Sequence, residues 1–306
     1  MNQFIKKTLI FIFIPVIITL LGLVYLNYSI EKKHTVKSNI STVFIGDSHI
    51  QLAINDSVIP KSKNIANSSE SFYFSYYKLK LLLENNNSIK RVYLGVSFHS
   101  LSNYYDKFIN GDYSSSISPK YFFKLTPIEQ ARLIYWNKKN FCSFMREVIK
   151  SGILQIYNKN YAHLNEGYSN QFRETLAVDS SMDKRLLFQY YDNNKLNSFS
   201  EINIHYLNKI IALCKKTDVH LIIINTPLHS YYYKKIPKEY KEKLTEIIKI
   251  NQLDYVDLSN LELSDNCFIP DGDHLSSLGA EKISVKIKEI EHERTTKGLP
   301  QGWQTE

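Results

Sequence analysis

Val43-Phe44-Ile45-Gly46-Asp47-Ser48-His49 carries a short apolar run straight into a turn that presents a serine. Three apolar β-formers in a row followed by glycine read as a buried strand and its exit. More than two hundred residues on, Asp271-Gly272-Asp273-His274 precedes the last helical stretch. A serine at the end of a first strand and an Asp-x-x-His near the C-terminus supply a nucleophile, a base and an orienter. The plain alternative is two turns, one with a capping serine and one leading into a helix capped by Ser277.

Working outward from that strand, further apolar runs alternate with helical periodicity. Asn64-Ile65-Ala66, Arg91 to Val96, Leu221 to Ile224 and Tyr255 to Leu258 read as strands. Phe72 to Leu83 reads as a helix, Leu207, Ile210, Ile211 and Cys214 fall on one face of another, and Ile283, Ile287 and Ile290 on a last one. Strands alternating with helices imply a parallel sheet covered on both faces.

The two blocks in this order, on this architecture, resemble the SGNH/GDSL-type hydrolases over roughly residues 40 to 292. Gly46-Asp47-Ser48-His49 is similar to the family's first block, in the spelling associated with envelope-glycan O-acylation, and Asp271 with His274 to its last. The resemblance implies an α/β, flavodoxin-like three-layer sandwich and an esterase or O-acyltransferase that works through an acyl-serine. It assigns Ser48 as nucleophile, His274 as base and Asp271 as orienter, with Asp273 the competing carboxylate. For the oxyanion it implies the backbone N–H of Ser48, that of Ser69 where glycine is expected, and Ser100 where the third block lacks its asparagine. Ser97 and the more distant Asn103 are the other candidates there. No cofactor is expected, and a metal site of Asp271, Asp273 and His274 lacks a second ligand cluster.

The remaining chain bounds the setting. With 306 residues, 43% hydrophobic and 22% charged, it has the composition of a globular protein. A formal net charge of +8 comes from scattered lysines such as Lys234, Lys235 and Lys238, without an arginine stripe, so no nucleic-acid partner is expected. Cys142, Cys214 and Cys267 have neither metal nor redox spacing. Thr8 to Tyr28 contains no charged residue, and about 21 residues at 1.5 Å each reach about 31 Å, enough for a bilayer core.

The expected organisation is an N-terminal transmembrane anchor over 1–29, kinked at Pro15, and a polar linker over 30–40. A hydrolase-like domain follows over 41–292, then a polar tail over 293–306. Lys6 and Lys7 before the apolar run and Lys32, Lys33 and Lys37 after it leave orientation open. The resemblance places the domain outside the cytoplasm, facing an envelope glycan, with a membrane-bound acyl-donor partner as a further expectation. Its rival is a glycan-binding or assembly-scaffold protein that keeps the fold without turnover.

A helical insertion over about 101–200 breaks the strand–helix rhythm. Thr126-Pro127-Ile128-Glu129 reads as a capping box, and Tyr135, Trp136, Phe141, Phe144 and Tyr157 follow it. This segment is read either as packing on the sheet or as a lid whose aromatic faces stack on sugar rings.

Overall fold

The computed structural model describes residues 2–33, 35–157, 167–170 and 176–297. Five strands form one sheet: β1 (Thr42–Ile45), β2 (Ser62–Asn64), β3 (Arg91–Gly95), β4 (His220–Asn225) and β5 (Asp254–Asp257). All pairs are parallel and the order is β2-β1-β3-β4-β5. That is the flavodoxin-like doubly wound order, with its switch point between β1 and β3.

Period-two alternation sorts the strand residues between two cores. Phe44, Tyr93, Ile222, Ile224 and Val256 face helices Ser48–Ala53 and Ser277–Lys297, meeting Ile50, Ile283 and Ile287. Val43, Ile45, Val92, Leu94, Leu221 and Ile223 face helices Phe72–Asn85, Glu201–Lys216 and Lys238–Asn251. Each fully buried aliphatic side chain contributes about 1.5–3 kcal/mol, so a helix on either face is what the sheet requires. The result is a three-layer α/β sandwich.

Most boundaries shift by a residue or two from expectation, and β2 differs for a visible reason. It ends at Asn64, although Ile65 N–H still donates to Phe44 O at 2.8 Å. The Asn64 side chain ties the exit to the helix that follows β1: Nδ2 donates to the carbonyls of Ile50 (3.0 Å) and Ile54 (2.7 Å), and Oδ1 accepts from Ala66 N–H (2.9 Å). Ile65 and Ala66 therefore belong to the loop beyond the strand.

The insertion packs on the layer of Phe72–Asn85 and Glu201–Lys216 and shares its core through Phe122, Phe123, Leu133, Phe144 and Val148. Its longer helices are Pro127–Trp136, Phe141–Tyr157 and Asp179–Tyr190, followed by a small hairpin of Tyr191–Asp192 with Lys195–Leu196. Thr126 Oγ1 accepts from Glu129 N–H at 3.4 Å, as the cap requires. Glu129 does not reach back to complete the box; its carboxylate accepts from Tyr73 Oη (2.8 Å) and pairs with Arg132. The aromatic stretch divides: Phe144 is buried and Trp136 packs on the core, whereas Tyr135, Phe141 and Tyr157 are exposed.

The first helix runs from Asn2 to Lys33, 32 residues. Phe4, Phe11, Ile18 and Val24 on it are exposed, while Leu26 and Ile30 are buried against the insertion. Asn27 Oδ1 accepts from Gln130 Nε2 at 2.9 Å. Gly152 makes this contact close, since a β-carbon there would stand 2.5 Å from the Phe123 ring and 3.1 Å from a Leu26 methyl. The expected linker is thus partly helix, and Val36 N–H beyond it donates to Asn86 Oδ1 at 2.9 Å. Among the described residues, no helix is long and apolar enough to cross a membrane. The side chain of Pro15, where a kink was expected, and the tail beyond Lys297 lie outside the described residues.

Candidate active site

The turn after β1 is built by two glycines. Gly46 has φ +148°, and a β-carbon on Gly95 of the neighbouring strand would stand 2.2 Å from Ile50 Cγ1. Neither position tolerates a side chain, so β1 can leave the sheet and start the helix Ser48–Ala53 at once. Asp47 caps that helix, its Oδ1 accepting from His49 N–H at 2.9 Å. Ser48 is thereby presented at the carboxyl edge of the sheet, beside the switch point.

The second block folds into a tight turn around Asp271. Its Oδ1 accepts from the N–H groups of Asp273 and His274, both at 3.1 Å, and Gly272 takes φ +61°. Asp271 Oδ2 lies 2.7 Å from His274 Nδ1, and His274 Nε2 lies 2.7 Å from Ser48 Oγ. The network assigns the Nδ1–H tautomer, leaving the Nε2 lone pair for the serine hydroxyl. Burial would raise the Asp271 carboxyl, but the charge and hydrogen bond of His274 outweigh it and hold it below the usual carboxylate range. The following helix is capped by Ser276, whose Oγ accepts from Gly279 N–H at 3.3 Å, rather than by Ser277.

Asp273, the competing carboxylate, turns inward instead. Its side chain is fully buried, with Oδ1 3.1 Å from His49 Nε2 and Oδ2 accepting from Arg185 Nε and Gln189 Nε2, both at 2.8 Å. His49 and Asp273 stand at ion-pair distance although these two atoms lack the alignment of a hydrogen bond. Burial opposes charge on both, yet each prevails through the other: Asp273 and Asp47 raise the His49 pKa, while His49 and Arg185 hold Asp273 well below the ordinary range. Beside them, burial lowers the pKa of His99, whose ring stacks on Tyr105, and the Tyr105 hydroxyl donates to Asp47.

His49, His99 and Asp273 each offer a ligand atom within 4.8 Å of the others, all buried. The Arg185 guanidinium already sits on Asp273, so a dication there would face a fixed positive charge. These groups fit an ion-paired network better than a metal centre.

The oxyanion candidates fare unevenly. Ser69 adopts φ +61°, the left-handed conformation that glycine would take, so the turn forms in spite of its β-carbon. The loop carrying it is fastened by a buried Lys78–Glu70 pair, with Glu70 also accepting from Tyr121 Oη at 2.9 Å. Ser100 is buried in the turn after β3, and its Oγ is turned back to accept from Ser97 N–H at 3.3 Å. Asn103 is tied to Ser198 at 2.9 Å on the exposed side. The Asn103 amide donates within the fold, whereas the Ser100 hydroxyl is engaged there as an acceptor and keeps its own proton to donate.

Sequence reasoning missed His49 as a site residue, along with His99, Arg185, Gln189 and the Lys78–Glu70 pair. Two signals were available: the histidine inside the first block, and Lys78 set between the aromatic stretch Phe72 to Tyr77 and Leu79.

A family model without a functional description matches residues 157–293. No curated protein matches the chain. Nine solved chains match, among them one described as "a putative platelet activating factor from Streptococcus pneumonia", at 11% identity and a TM-score of 0.40, over 90% of this chain and 98% of that one.

Proposed function

We propose that the chain is an SGNH-type serine enzyme, an esterase or O-acyltransferase, acting on acyl and specifically acetyl esters of an envelope polysaccharide. The observation that carries this is the continuous row Ser48–His274–Asp271, with both hydrogen bonds at 2.7 Å. In that geometry His274 takes the hydroxyl proton as Ser48 attacks the ester carbonyl. Asp271 holds the tautomer and stabilises the imidazolium. The carbonyl oxygen is received by the Ser48 N–H at a helix start, with the Ser69 N–H as second donor. Collapse releases the alcohol, protonated by His274, and leaves an acetyl-serine that water or a sugar hydroxyl then discharges. Hydrolysis and transfer differ only in that acceptor.

The setting is part of the proposal. The exposed apolar side chains along the helix Asn2–Lys33 support membrane attachment, with the domain extracytoplasmic. The replaced glycine at Ser69 and the engaged Ser100 favour, as second reading, a binding or scaffold protein without turnover. A fluorophosphonate probe and a chromogenic acetyl ester separate the two. Labelling at Ser48, lost in Ser48→Ala together with turnover, supports the enzyme; folded wild-type protein that neither labels nor turns over overturns it.

A further inference from the structure

His49 and Asp273 are the chain neighbours of the nucleophile and the base. Ser48 meets His274 at 2.7 Å, and one residue along each segment His49 Nε2 stands 3.1 Å from Asp273 Oδ1. Two contacts therefore run side by side between the turn after β1 and the loop before the last helix. The inner one is fixed at both ends. His49 Nδ1 lies 3.2 Å from Thr226 Oγ1, just beyond β4, and Asp273 Oδ2 is held by Arg185 and Gln189 of the helix Asp179–Tyr190. Gln189 is itself held by the Tyr232 hydroxyl. Met182 of the same helix fills the space at Gly272, where a β-carbon would stand 2.3 Å from its sulfur.

We propose that His49, Asp273 and Arg185 are positioning residues, a buried charged row through which the insertion sets the distance between Ser48 and His274. The base loop is also held through its backbone, Pro270 O accepting from Val178 N–H at 3.1 Å and Gly272 O from His229 N–H at 2.9 Å, and the row adds a side-chain anchor one residue from the base. Asp271 is partly exposed, its side chain at 24%, whereas Asp273 is at 0% and joined to two helices, Ser48–Ala53 and Asp179–Tyr190. A misplacement of about 1 Å costs about 10²-fold in rate, which is the precision such a fixed point supplies. The insertion is then the floor of the site, and the row rests on the reading of Ser48 as nucleophile.

The full-length protein is compared with His49→Ala, His49→Gln and Arg185→Gln, with phosphonate titration counting competent sites. His49→Ala should lower kcat on the acetyl ester about 10²-fold with KM unchanged. His49→Gln should recover most of it, since its amide N–H can still reach Asp273. Arg185→Gln, made far along the chain on the insertion, should reproduce the kcat loss. Independently of turnover, the low-field proton of the His274–Asp271 hydrogen bond should be present in wild type by proton NMR and broadened in His49→Ala. A His49→Ala or Arg185→Gln protein with lowered melting temperature but unchanged kcat per titrated site and an unchanged low-field proton overturns the proposal. If His49→Ala does not fold, His49→Gln and Arg185→Gln decide it in the same way. Wild-type protein without labelling or turnover, but with the proton signal responding to His49, sinks the enzymatic reading and leaves the positioning row standing.

Discussion

Two aspartate–histidine couples lie side by side in this fold and are built for opposite ends. Asp271 and His274 are joined by an aligned 2.7 Å hydrogen bond at the rim of the sheet, where Asp271 still meets solvent. Asp273 and His49 are sealed from solvent, 3.1 Å apart, with a guanidinium behind the carboxylate. The outer couple can change protonation during a reaction because solvent and a serine hydroxyl are at hand. The inner couple stands at ion-pair distance, which burial makes costly to break from one side. Proximity in sequence says nothing about which role a carboxylate takes; the elements behind it decide.

That contrast can be broken most severely at the outer row. Ser48→Ala should reduce turnover by about 10⁶-fold without unfolding the protein, and His274→Ala nearly as much. The double variant should be hardly worse than Ser48→Ala, because the two act as a unit. Asp271→Asn should lose about 10⁴-fold through the wrong tautomer, with the melting temperature nearly kept. Measured on the chromogenic ester, a Ser48→Ala protein of wild-type activity would end the mechanism.

Asp273→Asn should separate the couples by its effect on stability. Removing one partner of a buried pair destabilises by about 3–5 kcal/mol, read in a urea titration. Its pH signature has a definite sign. A carboxyl whose folded pKa lies below its unfolded value stabilises above about pH 4 and loses that contribution as pH falls through the folded value. The raised His49 pKa works the other way, contributing below about pH 6.5 and losing it as pH rises through the folded value. Asp273→Asn should flatten both limbs of the stability curve. If Asp273→Asn and Asp271→Asn moved stability equally, the distinction between the couples would be lost.

Smaller effects sharpen the account of the surroundings. Trp136 packs on the core, its ring 6.4 Å from that of Tyr73, so Trp136→Ala should cost about 3 kcal/mol and leave kcat per folded molecule unchanged. Loss of glycan binding at full stability would instead restore the lid. Ser69→Gly should stabilise by about 1 kcal/mol by relieving a left-handed β-carbon, checked by thermal melting.

The strands were legible because runs such as Leu221 to Ile224 are β-branched and apolar enough to be buried on both faces. Ser48, Asp271 and His274 were legible because each block folds locally: Asp47 caps its own helix, and Asp271 closes its own turn. What escaped depends on distant partners. Arg185 reaches Asp273 across 88 positions and Tyr105 reaches Asp47 across 58, and no periodicity encodes such pairs. Ser69 was legible as the position of an expected glycine, but not that it keeps the left-handed turn in a loop fastened by Lys78 and Glu70.

The docking of the first helix leaves the domain without a swivel. With Leu26 and Ile30 sunk into the insertion and Asn27 bound to Gln130, whatever holds the exposed part of that helix also fixes the height and tilt of Ser48. On the proposed function, a polymer substrate would have to be fed to that rim, because the rim cannot turn to follow it. The same seam dictates where the chain can be cut. Trimming at residue 37 would strip the cover from Phe123 and Gly152 and leave a sticky furrow, whereas a cut near residue 20 would keep the plug in place.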